Sequence, residues 1–400
     1  MNIPLIPDVG SGKTMPGLLC SKMFDGAKAT VWILPLRSLQ EQYHFRCNKH
    51  SIPCTVWSPS TSDVHPPSAI IVAIDSTNWE VFQVFVQKLY TNGRLARIIV
   101  DEAHLTLTHA EFRPIMGMLK WLGGLGVQIV LPTATLPPSL QQDLLDVFGI
   151  TSCYISRTTT PRRNISYAVI RSKDTNLDRN ICEQYQKAIE FSETNRILIF
   201  CRSKADTRHT GEILNIPHCD AEMSQEAIDS LLRRFRKGEF RAISCTSILG
   251  VGLDIPCLTH IIHRDYPADA VSYVQEVGRL GRNEGMDKAW ALAVLPPRHT
   301  RTIGEDRFGA RLIQTSLDSN DYCRRLLVHM FIDGVAEPCT LMEGKVNMCD
   351  VCNEKSRIKP AILDRLVFPS GLMEECIGRK FVGKRIISIG NSNLVSRYGF

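Results

Sequence analysis

The chain has 400 residues, room for two or three domains rather than one. Its 44% apolar and 22% charged fractions are those of an ordinary globular protein. No stretch approaches the roughly 18 consecutive apolar residues of a bilayer-spanning helix, so no membrane partner is expected. A net charge of +6 permits a nucleic-acid partner without demanding one.

The N-terminus has no charged region ahead of an apolar run, so no secretory signal is expected. Of the 14 cysteines, Cys20, Cys153, Cys182, Cys201 and Cys245 stand singly, mostly in apolar stretches. That usage points to a reducing, intracellular compartment.

In chain order, an apolar start at Ile3–Ile6 leads into Gly10-Ser11-Gly12-Lys13-Thr14. Glycines allow backbone N–H groups to close around phosphate oxygens. Lys13 would neutralise the β and γ phosphates of ATP, Thr14 would ligate Mg²⁺, and a helix starting there would direct its positive end at the anion. Position 7 is Pro where the strict pattern has glycine, so the match is partial. Short β-branched runs follow at residues 30–34, 70–74, 97–100 and 127–131, each trailed by a turn and a helical stretch. This alternation predicts a parallel sheet covered on both faces.

The run at 97–100 ends in Asp101-Glu102-Ala103-His104. Ligand sites of open α/β sheets lie at the carboxyl ends of strands. There Asp101 would hold Mg²⁺, Glu102 would orient and deprotonate the attacking water, and His104 would pass nucleotide state to the next motif. The basic stretch 157–164 reads as a linker. A second strand series occupies 196–200, 242–245, 260–263 and 289–294. Gln275-Glu276-Val277-Gly278-Arg279-Leu280-Gly281-Arg282 then sets two arginines three apart, on one face of a helix or its end. Arg279 and Arg282 are candidates to reach a γ-phosphate bound by the first half.

Beyond about residue 305 the pattern is helical and contains Cys323, Cys339, Cys349 and Cys352. The Cys349-Asp350-Val351-Cys352 pair suits one tetrahedral metal, and two further thiolates complete a structural Zn²⁺ site with no open position for catalysis.

The motif series resembles that of superfamily 2 helicases, and specifically RecQ-like DNA helicases, from about residue 3 to about 355. The matching segments are the Gly10 loop, Leu34-Pro35-Leu36-Arg37-Ser38-Leu39, the Asp101 box and Thr133-Ala134-Thr135. Ile199-Phe200-Cys201-Arg202-Ser203, the run Thr246-Ser247-Ile248-Leu249-Gly250-Val251-Gly252-Leu253-Asp254-Ile255-Pro256, and the arginine motif continue it. The resemblance implies two tandem RecA-like parallel-sheet domains, residues 1–155 and 156–305. A small helical zinc-binding subdomain at 306–358 and a basic tail at 359–400 would follow.

By the same resemblance, Gly252, Asp254 and Gln275 join the nucleotide contacts, and Arg37, Arg202 and Thr246 touch the backbone of single-stranded or forked DNA. Phe112 and Arg113 belong to a loop that couples DNA contact to hydrolysis, in which the family's tryptophan is missing here. Translocation would run 3′ to 5′. The ten-residue step from Cys339 to Cys349 implies an inserted loop. The family's adenine-reading segment would precede Gly10, and only nine residues do, so weak, base-indifferent nucleotide binding is expected. Few residues follow Cys352, too few for the winged helix of many relatives; the basic run at 378–385 could bind phosphate. The competing readings are a nucleic-acid-binding scaffold that hydrolyses ATP poorly, and an RNA helicase with the same engine.

Overall fold

The computed structural model describes residues 3–6, 14–23, 27–74, 79–108, 119–172, 176–250, 255–283, 285–297, 306 and 308–355. They divide into two compact units, one running to Thr159 and the other from Thr160 onward.

The first unit is built on β1 (Ile3–Ile6), β2 (Ala29–Leu34), β3 (Cys54–Val56), β4 (Ala69–Ala73), β5 (Leu95–Val100), β6 (Gln128–Pro132) and β7 (Ser156–Arg157). They form one parallel sheet in the order β3-β4-β2-β5-β6-β1-β7. Strands β2 and β4 are buried along their whole length. Apolar residues on both faces are what a sheet sandwiched between helices requires. One covering helix, Trp79–Thr91, turns Trp79, Phe82, Phe85, Val86 and Leu89 inward, the spacing of a single helical face.

The second unit repeats the plan with β8 (Ile165–Arg171), β9 (Arg196–Cys201), β10 (His218–Cys219), β11 (Ala242–Cys245), β12 (Leu258–Arg264) and β13 (Ala289–Leu295). Their order is β10-β11-β9-β12-β13-β8, again parallel. Its helices carry local start and stop signals. The Ser203 hydroxyl accepts from Asp206 N at 2.9 Å, Asp269 accepts from Ser272 N at 2.8 Å, and the helix Gln225–Lys237 ends on Gly238 in the left-handed conformation.

Two alternating α/β halves are therefore present, and the strand runs read from the sequence fall on β2, β4, β5, β6, β9, β11, β12 and β13, those at 70–74 and 127–131 overrunning their strands by one residue. Segment 157–164 is not a free linker. Arg157 closes β7 against β1 and donates to Leu136 O at 2.9 Å. Thr160 gives its backbone N–H to Asp333 at 2.9 Å. Beyond residue 305 the described residues hold helices Ala310–Asp318, Leu326–Asp333 and Asp350–Lys355 and no strand. This helical segment shares one apolar cluster with the second sheet, from Ile165 and Leu198 through Leu312 and Phe331 to Cys352. The basic tail lies outside the described residues.

Candidate functional site

Gly10, Ser11, Gly12 and Lys13 of the phosphate loop, Phe112 and Arg113 of the coupling loop, and Gly252 and Asp254 lie outside the described residues. The elements flanking the phosphate loop are described. β1 pairs with β6 in register Ile3↔Val130, and Thr14 opens the helix Thr14–Lys22. That helix docks on the sheet through a glycine. A Cβ on Gly17 would lie 2.5 Å from the Trp32 ring, so only hydrogen fits. Trp32 Nε1 donates to Ser21 Oγ at 3.3 Å, and Ser21 Oγ donates to Gly17 O at 3.0 Å. Indole and glycine together fix the axis of the helix that follows the loop.

The carboxylate pair stands at the end of β5, where the sequence places it. Asp101 is buried, and its backbone N–H continues the ladder onto Ile33 O at 3.0 Å. Its Oδ1 accepts from Glu102 N at 3.0 Å, and its Oδ2 accepts from the Tyr43 hydroxyl. Glu102 has φ +48°, in the left-handed region that a non-glycine residue rarely enters. This reversal turns the chain out of the strand and aims Glu102 differently from Asp101.

His104, only 1% exposed, sits between two hydroxyls of the segment that follows β6. Thr133 Oγ1 lies 2.7 Å from His104 Nδ1, and Thr135 Oγ1 lies 3.2 Å from Nε2. Glu102 Oε2 is 3.6 Å from the same Nδ1. The structure thus joins the Asp101 box to the Thr133-Ala134-Thr135 motif through one imidazole. A carboxylate that can hold a cation, a second that can take a proton, and a histidine reporting to a neighbouring motif form a set suited to phosphoryl transfer.

The predicted nucleic-acid contacts also follow strand ends. Arg37 is exposed at the start of the helix Ser38–Lys49, just past β2. Arg202 is exposed directly after β9. Thr246 follows the neighbouring β11 and donates its N–H to Cys219 O at 3.1 Å. Carboxyl ends of strands are where open α/β sheets place ligands.

Gln275 is half-buried on the helix Ala270–Val277. The two arginines follow its C-terminus: Arg279 is 4% exposed, and Arg282 is half-buried with its Nε on Gly278 O at 3.0 Å. Gly281, at φ +56°, sits in the turn between them. Beneath the motif, Glu276 and His263 form a buried pair at 2.8 Å.

The four cysteines converge. Their sulfurs all lie within 4.8 Å of one another, with Cys323 to Cys339 at 3.5 Å and Cys323 to Cys349 at 3.8 Å, and all four are buried. Metal–sulfur bonds of about 2.3 Å in a tetrahedron place sulfurs about 3.8 Å apart, so the set is compatible with zinc. Cys339 N donates to Cys323 Sγ and Cys352 N to Cys349 Sγ, each at 3.4 Å, bonds that favour thiolates. Hydrogen bonds from Cys323, Cys349 and Cys352, and then the Arg325 guanidinium, hold the Cys339 thiol well below the usual thiol range.

The charged residues beside the cysteines have no role in the sequence reading. Arg324 forks onto Asp350 at 2.9 and 3.0 Å, and Asp350 also accepts from Val169 N on β8 at 2.9 Å. Arg325 is fully buried, with Nε 3.2 Å from Cys339 Sγ and its guanidinium over the Tyr167 ring at 4.7 Å. Tyr43 was missed as well, because a tyrosine on a helix carries no pattern that points to a carboxylate 58 residues on.

Comparison with known proteins agrees with this layout. The family model described as helicase conserved C-terminal domain matches residues 178–284. The chain is 23% identical to the ATP-dependent DNA helicase RecQ of Haemophilus influenzae, over 97% of this chain and 65% of that protein. It is 28% identical to the ATP-dependent DNA helicase Q-like 4B of Arabidopsis thaliana, over 49% of this chain and 17% of that one. The chain therefore spans only part of the length of these relatives. Among solved structures, Saccharomyces cerevisiae Dbp5 bound to RNA and ADP BeF3 matches with TM-score 0.61 at 15% identity, covering 89% of this chain and 88% of that chain. The Mycobacterium smegmatis helicase Lhr bound to ssDNA and AMP-PNP matches with TM-score 0.58 at 20% identity, covering 80% and 46%. At such identities these two show the fold.

Proposed function

We propose, for a chain that resembles RecQ-like superfamily 2 helicases and carries the helicase C-terminal domain, that it is an ATP-dependent DNA helicase translocating 3′ to 5′ on single-stranded DNA. The observation that carries this reading is the join at His104. Glu102 of the strand-end pair lies 3.6 Å from that imidazole, which is itself hydrogen-bonded to Thr133 and Thr135, an arrangement an inert acidic strand end has no need of.

Glu102 is the general base for the attacking water, and Asp101 with Thr14 would hold Mg²⁺, which supplies charge neutralisation at the phosphates. Gly10, Ser11, Gly12 and Lys13 cradle the phosphates, while Gln275, Gly252 and Asp254 add nucleotide contacts. Arg279 and Arg282 supply permanent positive charge for phosphoryl transfer. Arg37, Arg202 and Thr246, with Phe112 and Arg113, contact the strand backbone, which gives affinity with little sequence preference.

DNA is favoured over RNA by the four-thiolate module and by the relatives described as DNA helicases. The test is the ATP hydrolysis rate with and without single-stranded DNA. Stimulation by DNA and displacement of a strand from a 3′-tailed duplex are expected. Equal rates with and without DNA would leave a nucleic-acid-binding scaffold, and stimulation by RNA alone would make it an RNA helicase.

A further inference from the structure

The ten-residue step between Cys339 and Cys349 carries Asn347, and Asn347 does not face solvent alone. Its N–H donates to Arg163 O at 2.9 Å, and its amide nitrogen donates to Asn164 O at 2.9 Å and Asp287 O at 2.7 Å. Arg325, with its Nε on Cys339 Sγ, gives Nη1 to Arg162 O at 3.1 Å and Nη2 to Asn347 O at 3.0 Å. Segment 162–164 is thus gripped from the cysteine module by two independent side chains.

The same segment grips the arginine motif from its other side. Arg162 Nη2 and Asn164 Nδ2 both donate to Gly281 O, the latter at 2.9 Å, and Asn164 Nδ2 also donates to Met286 O at 3.0 Å. A Cβ on Gly281 would lie 2.5 Å from that amide nitrogen, so the approach is as close as the backbone allows. Gly281 is the residue whose positive φ separates Arg279 from Arg282. Every step of this route is a direct hydrogen bond.

The geometry points to Arg162, Asn164, Arg325 and Asn347 as positioning residues that set the Gly281 turn, and with it the placement of Arg279 and Arg282, from the folded cysteine module. The cysteine cluster then does more than stabilise a subdomain: its inserted loop makes the arginine motif depend on the module being folded. This rests on the reading of Arg279 and Arg282 as the phosphate-charge arginines.

The experiment compares zinc-loaded wild type with Arg162→Ala and Asn347→Ala. Metal content and melting temperature should stay near wild type. Amide exchange in the peptide around Gly281 should quicken about 10-fold while strands β9 and β12 keep their protection. DNA-stimulated kcat should fall about 10-fold with KM for ATP nearly unmoved, since misplaced charge acts on the transition state. The hydrogen bonds of Asn347 go to Arg163, Asn164, Asp287 and Arg325, outside the arginine motif, so a selective effect there in Asn347→Ala shows transmission. Unchanged exchange at Gly281 in both variants, or equal acceleration across the whole second unit, overturns the proposal. A wild type without DNA-stimulated turnover would defeat the helicase reading, and the exchange measurement would still decide the positioning role.

Discussion

Glu102 occupies φ +48°, a conformation that costs on the order of 1–3 kcal/mol for a side-chain-bearing residue outside glycine. The strain is held by bonds on both sides: Glu102 N to Asp101 Oδ1 at 3.0 Å and Leu105 N to Glu102 O at 2.9 Å. If the carboxylate is retained for chemistry, removing it should separate two properties. Glu102→Gly should raise the melting temperature, because glycine takes this φ freely, and should lower kcat by about 100-fold or more through loss of the general base. A variant that is both less stable and still active would refute both halves. Glu102→Gln should keep nucleotide binding, read by fluorescent-analogue titration, and lose turnover. At Asp101 the Tyr43 hydroxyl bond makes a separate claim. Tyr43→Phe keeps the ring against Trp32 and removes one bond to a buried carboxylate, which should cost about 1–2 kcal/mol in urea unfolding. It should also raise the Mg²⁺ concentration needed for half-maximal hydrolysis, because Asp101 is then less well held. The carboxylates were legible in the sequence because a β-branched run ends directly on them. Tyr43 was not, because its partner comes from sheet order, which sets β2 and its following helix beside β5.

The helix Thr14–Lys22 reads as an ordinary helix, yet its seat depends on one missing methyl. Gly17→Ala would place a Cβ against the Trp32 ring and Ile99, both buried in the sheet, so the helix must move rather than the sheet. A loss of about 1–3 kcal/mol is expected from overpacking, together with weaker ATP binding in equilibrium titration. Wild-type affinity in a destabilised Gly17→Ala would show that the helix seat does not govern the phosphate loop. In the second sheet, β12 and β13 bring His260 against Trp290, ring centroids 4.6 Å apart and nearly parallel. Burial pushes the His260 imidazole down to about 4 from 6.5. Below pH 6.5 the unfolded chain takes up a proton that the folded strand excludes. His260 therefore gives its full stability above pH 6.5, and this is lost as pH falls toward 4, by up to about 3 kcal/mol. His260→Gln should flatten the fall in melting temperature between pH 6.5 and 4.5, and an unchanged slope would remove the claim. Elements of this kind were legible where burial is two-sided: β2, β4 and β12 are buried along their whole length, and β9 is buried from Ile197 onward. The strands not read, β3, β7, β8 and β10, lie at sheet edges or span two or three residues, where one-sided burial and short length leave no apolar run.

At the scale of the molecule, sequence and structure divide the chain by different criteria. The change from strand-rich to helical pattern near residue 305 suggests a separate subdomain, but pattern reports local periodicity and not where apolar side chains end up. Leu312, Ile313, Leu326, Phe331 and the four cysteines join one cluster with Ile165, Leu198, Ile243 and Ile261 of the second sheet. Arg324 and Asp350 add a charged fork reaching β8, and Thr160 is clasped by His329 and Asp333 at 2.9 and 2.8 Å. Cooperative unfolding follows shared burial. Metal analysis should give about one zinc per chain, the stoichiometry of a single four-thiolate site. Chelation should then expose β9 and β12 to hydrogen exchange along with the helices Leu326–Asp333 and Asp350–Lys355, while β2 and β5 of the first unit stay protected. Removal of a structural four-thiolate metal withdraws binding energy that is also folding energy, so the whole cluster it anchors should open together. Exchange confined to the two helices would mean that the sheet holds its core without the module.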